Sequence, residues 1–200
     1  MPLKLYIKLF IINNVRLQKL VTYMEYEVFR GSVLDAEADI IVNAANNNLQ
    51  AGSGVCGAIF HKAGFDELQE ECDNIGFVET GDVALTGGYK TGAKHIIHAV
   101  GPTMWNNRKD WQRKIKQVYW NSLVAADATG VESIAFPCIS TGIYACPLED
   151  CARFAIDIVS SYEAENLKKV YFCCFKEEEY QIYTELSANA KANEGTFDKL

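Results

Sequence analysis

The amino-acid sequence predicts a single α/β domain built on a largely parallel sheet that is covered by helices. From Met24 onward, strand patterns alternate with helix patterns, and short apolar runs such as "ADIIVNAA" are typical of strands buried on both faces. The chain has 200 residues, of which 49% are apolar and 22% charged, so it can form one complete core.

Six segments are predicted to be strands because each is a short run rich in apolar residues, bounded in most cases by glycine or proline. In chain order they are "YEVFRGSV", "ADIIVNAA", "GDVALTGGY", "KHIIHAVGP", "ESIAFPCI" and "KKVYFCCF". Five segments are predicted to be helices from helical spacing or from glycine and proline at their ends. They are "GVCGAIFHKAG", "DELQEECDNIG", "RKDWQRKIKQVYWNSLVAADATG", "PLEDCARFAIDIVSSYEAE" and "EEEYQIYTELSANAKA".

The two ends of the chain are expected to lie outside this domain, which we place at residues 24–192. Residues 1–23 contain four basic residues and no acidic one, and Lys8 interrupts their apolar run. They match neither a membrane span nor a signal peptide, so we expect a peripheral extension, or a mis-called start before Met24. Residues 193–200 are expected to fray.

Charge and cysteine content exclude some classes of function. The net charge is −7 without a dominant Lys/Arg stripe, which argues against a large nucleic-acid footprint. Backbone N–H groups could still hold an anionic small molecule. The seven cysteines are odd in number and form no Cys-x-x-Cys motif, so we expect reduced thiols in a cytoplasmic protein. We expect a monomer that needs no metal and no cofactor.

Three predicted strands end in residues that are candidates for a binding site. Asn43 and Asn46 lead into the glycine-rich stretch 52–57, "STGIY" at 140–144 follows a second strand, and Phe175 closes the last strand. In open α/β sheets, ligands bind outside the carboxyl ends of the strands, so these segments are expected to face one crevice.

The residue types in these loops suit a ligand that combines hydroxyl groups with phosphate. An asparagine side chain both donates and accepts hydrogen bonds, so it can fix its own loop and hold a ribose. Glycines beside a helix N-terminus let backbone N–H groups approach an anion closely. Either loop alone is typical of a turn, but two of them after buried strands indicate a diphosphate site.

At these residues the sequence resembles the macro domain family, which binds ADP-ribose and includes proteins that process ADP-ribose-1''-phosphate (Appr-1-p). The resemblance covers about residues 26–188, and its main pieces are "IIVNAANNNLQAGSGVCGAIFHKAG", "TGDVALTGGY", "IIHAVGP" and "FPCISTGIYACPLE". The chain is most similar to the branch of ADP-ribosyl-hydrolases and O-acetyl-ADP-ribose deacetylases. The resemblance implies a three-layer α/β/α sandwich with a mixed, mostly parallel central sheet.

The resemblance also implies a role for the candidate residues. Asn43 and Asn46 would lie near the distal ribose, which carries the scissile ester, and Phe175 would stack on adenine. The loops 52–57 and 140–144 would enclose the diphosphate. The expected ligand contacts are Ser32, Val33, Asn43, Asn46, Gly52, Ser53, Gly54, Val55, Cys56, Gly57, Ser140, Thr141, Gly142, Ile143, Tyr144 and Phe175.

Two residues depart from the family pattern. Ser32 stands where many relatives have an Asp that accepts from the adenine amino group, so we expect weaker or less selective adenine binding. Cys56 stands where the hydrolase branch often has an Asp that helps to activate the attacking water. Cys56 could act as a base or nucleophile if the helix N-terminus depressed its pKa; otherwise it is a small packing residue.

Three functions follow from these observations. The leading interpretation is an enzyme that hydrolyses an ester at the distal ribose of O-acetyl-ADP-ribose or of a mono-ADP-ribosylated protein. Asn43, Asn46 and Cys56 are its candidate catalytic residues. The alternative is a non-catalytic reader of ADP-ribose, which the missing Asp favours. A binder of nucleic acid or poly(ADP-ribose) is disfavoured by the acidic charge, and no membrane partner is expected.

Overall fold

The computed structural model of the protein describes residues 6–12, 15–21 and 24–197, with side chains described for residues 24–190. Two strands form a sheet of their own, in which β1 (Tyr6–Ile12) pairs antiparallel with β2 (Val15–Val21). Both lie in the segment predicted to be a peripheral extension, where no strand was assigned from the sequence. The extension therefore contains regular structure separate from the main sheet.

The main sheet has six strands in the order β3-β8-β7-β4-β6-β5. They are β3 (Glu25–Arg30), β4 (Ile40–Ala45), β5 (Val83–Gly87), β6 (His95–Val100), β7 (Ser133–Pro137) and β8 (Lys169–Cys174). Every pairing is parallel except that of β5 with β6 at one edge. The prediction of a mixed, mostly parallel sheet is confirmed.

Five helices cover the two faces of this sheet in the described part of the chain. They are α1 (Gly54–Ala63), α2 (Phe65–Ile75), α3 (Trp111–Ala128), α4 (Leu148–Ser161) and α5 (Glu177–Phe197). One buried cluster joins the sheet to α3, α4 and α5, with Tyr119 packed on Phe136 at a ring-centroid distance of 5.1 Å. A second cluster joins the opposite face to α1 and α2. The three-layer α/β/α sandwich is confirmed.

The alternation of side chains along β8 shows how the strands divide the two cores. Cys173 packs into the cluster under α1 and α2, whereas Cys174 packs into the cluster under α3, α4 and α5. These adjacent strand residues thus point to opposite faces of the sheet, as the period of a strand requires. All seven cysteines are free thiols.

Helix boundaries differ from the predicted ones at several ends. Helix α3 begins at Trp111 rather than at Arg108, and α4 begins at Leu148, directly after Pro147. Helix α5 continues through Phe197, beyond the predicted end at residue 192, because extending a helix is much easier than starting one. Among the described helices, none is both long enough and apolar enough to cross a bilayer.

The parallel strands bring the candidate site residues to one edge of the sheet. In the register, Asn43 of β4 lies opposite His98 of β6, and Pro137 of β7 lies opposite Cys173 of β8. The loops that follow β3, β4 and β7 leave the sheet from this edge, as does the segment between β8 and α5. The fold thus gathers the predicted site from distant parts of the chain.

Candidate functional site

A cavity of about 500 Å³ opens at this edge of the sheet. Most of the predicted ligand contacts line it, namely Ser32, Val33, Asn46, Gly52, Ser53, Gly54, Val55, Cys56, Ser140, Thr141, Gly142, Ile143, Tyr144 and Phe175. Asn43 and Gly57 belong to the same region but are not part of the lining. The single crevice expected from the strand ends is therefore present, and two of the residues assigned to it are not among those that line it.

The cavity wall also contains residues that the sequence did not single out. They are Gly31, Ala44, Ala58, Pro137, Cys138, Cys173, Lys176 and Glu179. Most of them neighbour a predicted contact in sequence, so the strand ends already indicated where they would lie. Glu179 had no such signal, because it is in the first turn of α5, which was interpreted only as a closing helix.

The asparagine run after β4 holds its own loop in shape. Asn46 donates from Nδ2 to the Gln50 carbonyl at 2.6 Å, and its Oδ1 accepts from the backbone N–H groups of Asn48 and Gln50, each at 3.2 Å. Asn47 donates from Nδ2 to the Val78 carbonyl at 2.8 Å. These amides satisfy backbone groups that no strand or helix partner reaches, so the loop enters the cavity wall in a fixed conformation.

Helix α1 begins beside this loop and presents its first N–H groups to the cavity. Gly54 has a φ of +62°, which favours glycine, and the N-cap Ser53 makes no side-chain bond to the helix. The first turn contains no acidic residue. Because its N–H groups lack acceptors within the helix, this turn is suited to bind an anion.

Gly57 has a packing role rather than a lining role. A Cβ atom placed at Gly57 would lie 2.4 Å from the Gly52 carbonyl oxygen. Only glycine lets α1 pack this closely on the loop that precedes it. Gly57 therefore makes a close helix–loop contact, and its predicted contact with the ligand stays a prediction.

Asn43 lies in a buried polar chain behind the cavity. Its side chain is 1% exposed, and Nδ2 is 3.6 Å from the Cys56 sulfur and 3.1 Å from His98 Nδ1. His98 Nε2 is in turn 3.0 Å from the hydroxyl of Thr86. Asn43 therefore contacts Cys56, which lines the cavity, and its predicted role toward the ligand stays a prediction.

The amide of Asn43 determines which nitrogen of His98 carries the proton. Because Nδ2 of Asn43 can only donate, His98 Nδ1 is the acceptor and the proton is on Nε2. Nε2–H then donates to the Thr86 hydroxyl oxygen at 3.0 Å. Burial lowers the pKa of His98 to about 4, against a smaller opposing effect of Glu71, so the imidazole is neutral at pH 7. His98 therefore connects Asn43 to Thr86 as a neutral structural residue.

Cys56 is a neutral thiol. Burial raises its pKa above the usual value, and hydrogen bonds from Asn43 and the Gly52 backbone offset only part of this effect. The thiol lies 3.9 Å from the Gln50 carbonyl, to which it can donate. The possibility that Cys56 is a base or nucleophile is therefore not supported, because desolvation outweighs the hydrogen bonds that would stabilise a thiolate.

The second loop, residues 140–144, forms the opposite wall. Ser140 has a φ of +65°, and its carbonyl accepts from the Cys146 backbone N–H at 3.0 Å. Thr141 donates from its hydroxyl to the Cys138 carbonyl at 3.0 Å. A Cβ atom at Gly142 would meet nothing within 4 Å, so this residue leaves open space beside the cavity.

Aromatic residues stand at both ends of the cavity. At one end, burial raises the pKa of Tyr144, which lines the cavity together with Cys56. Trp105 packs edge-on against Tyr144 at 5.6 Å between centroids. At the other end, the Phe175 side chain is 74% exposed, so its ring is free to stack on a flat ligand.

This fold and this site define a macro domain. The sequence model of the macro domain family matches residues 42–155, and the chain belongs to that family.

Relatives with assigned names point to ADP-ribose chemistry. O-acetyl-ADP-ribose deacetylase 1 of Pantoea vagans is 38% identical over 165 residues, which cover 80% of this chain and 96% of the relative. ADP-ribose glycohydrolase MACROD2 of Xenopus laevis is 39% identical over 159 residues, which cover 78% of this chain and 38% of that protein.

A solved structure shares the fold. The Trypanosoma brucei macrodomain in complex with ADP-ribose superimposes with a TM-score of 0.73 at 35% identity, covering 80% of this chain and 68% of that one.

Proposed function

We propose that this protein binds ADP-ribose in the cavity and hydrolyses an ester at the distal ribose. The observation that carries the proposal is the pair of loops, 52–57 and 140–144, that face each other across one cavity beside the N-terminus of α1. The names of the Pantoea vagans and Xenopus laevis relatives support this substrate class.

Binding would use the two ends of the cavity differently. The diphosphate lies between the first turn of α1 and the loop around Gly142, where backbone N–H groups neutralise its charge. The base stacks on Phe175, and the distal ribose lies at the end lined by Cys56 and Tyr144. Because Asn46 is already held by its own loop, little conformational entropy would be lost when the ligand binds.

Hydrolysis would proceed without an enzymic carboxylate at position 56. Water attacks the ester carbonyl carbon, the bond to the ribose oxygen breaks, and that oxygen takes a proton to leave as a hydroxyl. Cys56 is protonated, so the base that accepts the proton of the attacking water is a phosphate oxygen of the substrate itself. The protein contributes orientation, by holding the diphosphate and ribose in an attack-ready geometry.

One experiment tests binding and turnover on the same sample. ADP-ribose is titrated calorimetrically, and the protein is then incubated with O-acetyl-ADP-ribose and with a protein mono-ADP-ribosylated on Glu or Asp. We expect binding in the micromolar range, with release of acetate or of free ADP-ribose.

The variants Gly142→Glu and Gly142→Ala form a matched pair for this experiment. A Cβ atom alone meets nothing within 4 Å, so Gly142→Ala should bind ADP-ribose, whereas the carboxylate of Gly142→Glu should block and repel the diphosphate. Equal affinity of both variants would contradict the placement of the diphosphate.

A second function, a reader that binds without turnover, is favoured by the protonated thiol at Cys56. Binding of ADP-ribose without release of acetate or ADP-ribose would identify the protein as a reader. No binding at all would mean that the chain has kept the fold and changed its ligand.

A further inference from the structure

Glu179 is a buried carboxylate in the wall of the cavity. It lies in the first turn of α5, its side chain is 8% exposed, and it lines the cavity together with Phe175. Among the described residues that form this lining, it is the one with a carboxylate. Carboxylates are seldom buried without hydrogen-bond partners, so its bonds indicate what it is placed to do.

Only one oxygen of Glu179 is used by the protein. Oε2 accepts from the backbone N–H of Phe175 at 3.0 Å and from that of Lys176 at 2.9 Å. Oε1 makes no hydrogen bond to any other residue in the part of the chain that the structure describes. The shared bonds hold the carboxylate and the backbone of Phe175 in one rigid unit, which leaves Oε1 as an oriented acceptor in the cavity wall.

The other polar groups near this end are weaker acceptors or lie outside the lining. The Ser32 hydroxyl oxygen already accepts from the Leu34 backbone N–H at 3.2 Å. Asp35 is exposed, does not line the cavity, and uses Oδ2 to accept from the Ser32 backbone N–H at 2.9 Å. Glu179 is therefore the charged acceptor beside the exposed Phe175 ring.

We propose that Glu179 selects the base of the nucleotide, by accepting a hydrogen bond at Oε1 from the exocyclic amino group of a purine stacked on Phe175. The inference rests on the proposed function, since it requires that ADP-ribose occupies the cavity. It assigns base selection to a residue of α5. This matters because Ser32 stands where many relatives have an Asp that accepts from the adenine amino group. A base with a carbonyl oxygen in place of the amino group would bind more weakly. Its oxygen and the carboxylate are both acceptors, so they repel each other and form no hydrogen bond.

The test compares ADP-ribose with inosine diphosphate ribose, in which a carbonyl replaces the adenine amino group. We expect the wild type to bind ADP-ribose at least about tenfold more tightly, because a hydrogen bond to a charged acceptor is lost in the inosine analogue. In Glu179→Gln, the amide oxygen can still accept from the two backbone N–H groups, and the NH₂ then faces the cavity. The preference should fall below about threefold or reverse, since the amide can donate to the carbonyl.

Asp35→Asn is the matched control, because its Oδ1 can still accept from Ser32 and it lies outside the cavity lining. This variant should keep the wild-type preference. Thermal unfolding shows whether each variant is folded, and Glu179→Asp, which retracts the carboxylate by one methylene, replaces Glu179→Gln if that variant does not fold. It should show the same loss of preference.

The outcomes separate the two proposals. If ADP-ribose binds and the preference is absent in the wild type, or is unchanged in the Glu179 variant that folds, the inference is overturned and the proposed function stands. A loss of preference in Asp35→Asn with none in Glu179→Gln also overturns it. If the wild type binds neither nucleotide, the inference falls together with the proposed function.

Discussion

His98 should make the protein lose stability in mild acid. Its imidazole is 0% exposed, and burial lowers its pKa from 6.5 to about 4. Between these two values the unfolded chain takes up a proton at this residue that the folded chain does not, so the free energy of unfolding falls as the pH falls. The difference corresponds to about 3 kcal/mol, at about 1.4 kcal/mol for each pH unit.

The variant His98→Gln isolates this contribution. Its amide can still donate to Thr86, but it does not titrate and it cannot supply the imidazole acceptor for Asn43 in the same geometry. At pH 7 we expect it to be less stable than the wild type by about 1–3 kcal/mol, since a buried donor loses its partner. This deficit should shrink by about 3 kcal/mol as the pH is lowered toward 4.

Urea unfolding followed by tryptophan fluorescence at pH 7, 6, 5 and 4 measures both effects. Carboxylates that titrate in the same pH range contribute equally to the free energy of unfolding of both proteins. Their contribution therefore cancels in the difference between wild type and variant. His61→Gln, which removes an imidazole from the surface, should follow the wild type. A wild-type-minus-variant difference that stays constant from pH 6.5 to 4 would refute the assignment of His98 as a buried neutral imidazole.

Three further predictions concern the site and its support. Cys56→Asp should speed ester hydrolysis by about 10²-fold or more, measured as initial rates of acetate release, because a carboxylate can accept the proton of the attacking water. Gly57→Ala should destabilise the fold by at least about 1 kcal/mol in urea unfolding, since its Cβ would lie 2.4 Å from the Gly52 carbonyl oxygen. Asp127→Ala should cost about 1–3 kcal/mol at pH 7, because the carboxylate accepts from three backbone N–H groups. Although burial opposes it, these bonds hold the pKa of Asp127 below its usual value, so the wild-type advantage should decline as the pH falls below 4.

The fold could be predicted because its strands and turns carry local signals. "IIVNAA" and "KHIIHAVGP" are short, mostly apolar runs that favour buried strands, and both form strands of the central sheet. The pairing of β1 with β2 was not predicted, although residues 6–12 and 15–21 flank an Asn pair that is typical of turns.

The site could be predicted only where residues suited to bind a ligand directly follow a predicted strand. Loops that follow β4 and β7 had to meet, because parallel strands end at the same edge. The sequence could not show that Asn43 lies beside His98, since this depends on the pairing of β4 with β6. Nor could it give the pKa of Cys56, because a helix N-terminus and desolvation act in opposite directions and only packing decides between them.

The position of β3 has a consequence for how the protein is made. Strand β3 pairs with β8, which is the last strand in the described part of the chain, from Glu25 opposite Lys169 to Arg30 opposite Cys174. During synthesis, β3 must therefore wait until β8 has left the ribosome before the two strands can pair. The segments after these two strands, Gly31 to Val33 and Phe175, form one end of the cavity. This end cannot form in a nascent chain that lacks β8, so nucleotide binding should appear only after β8 has been made.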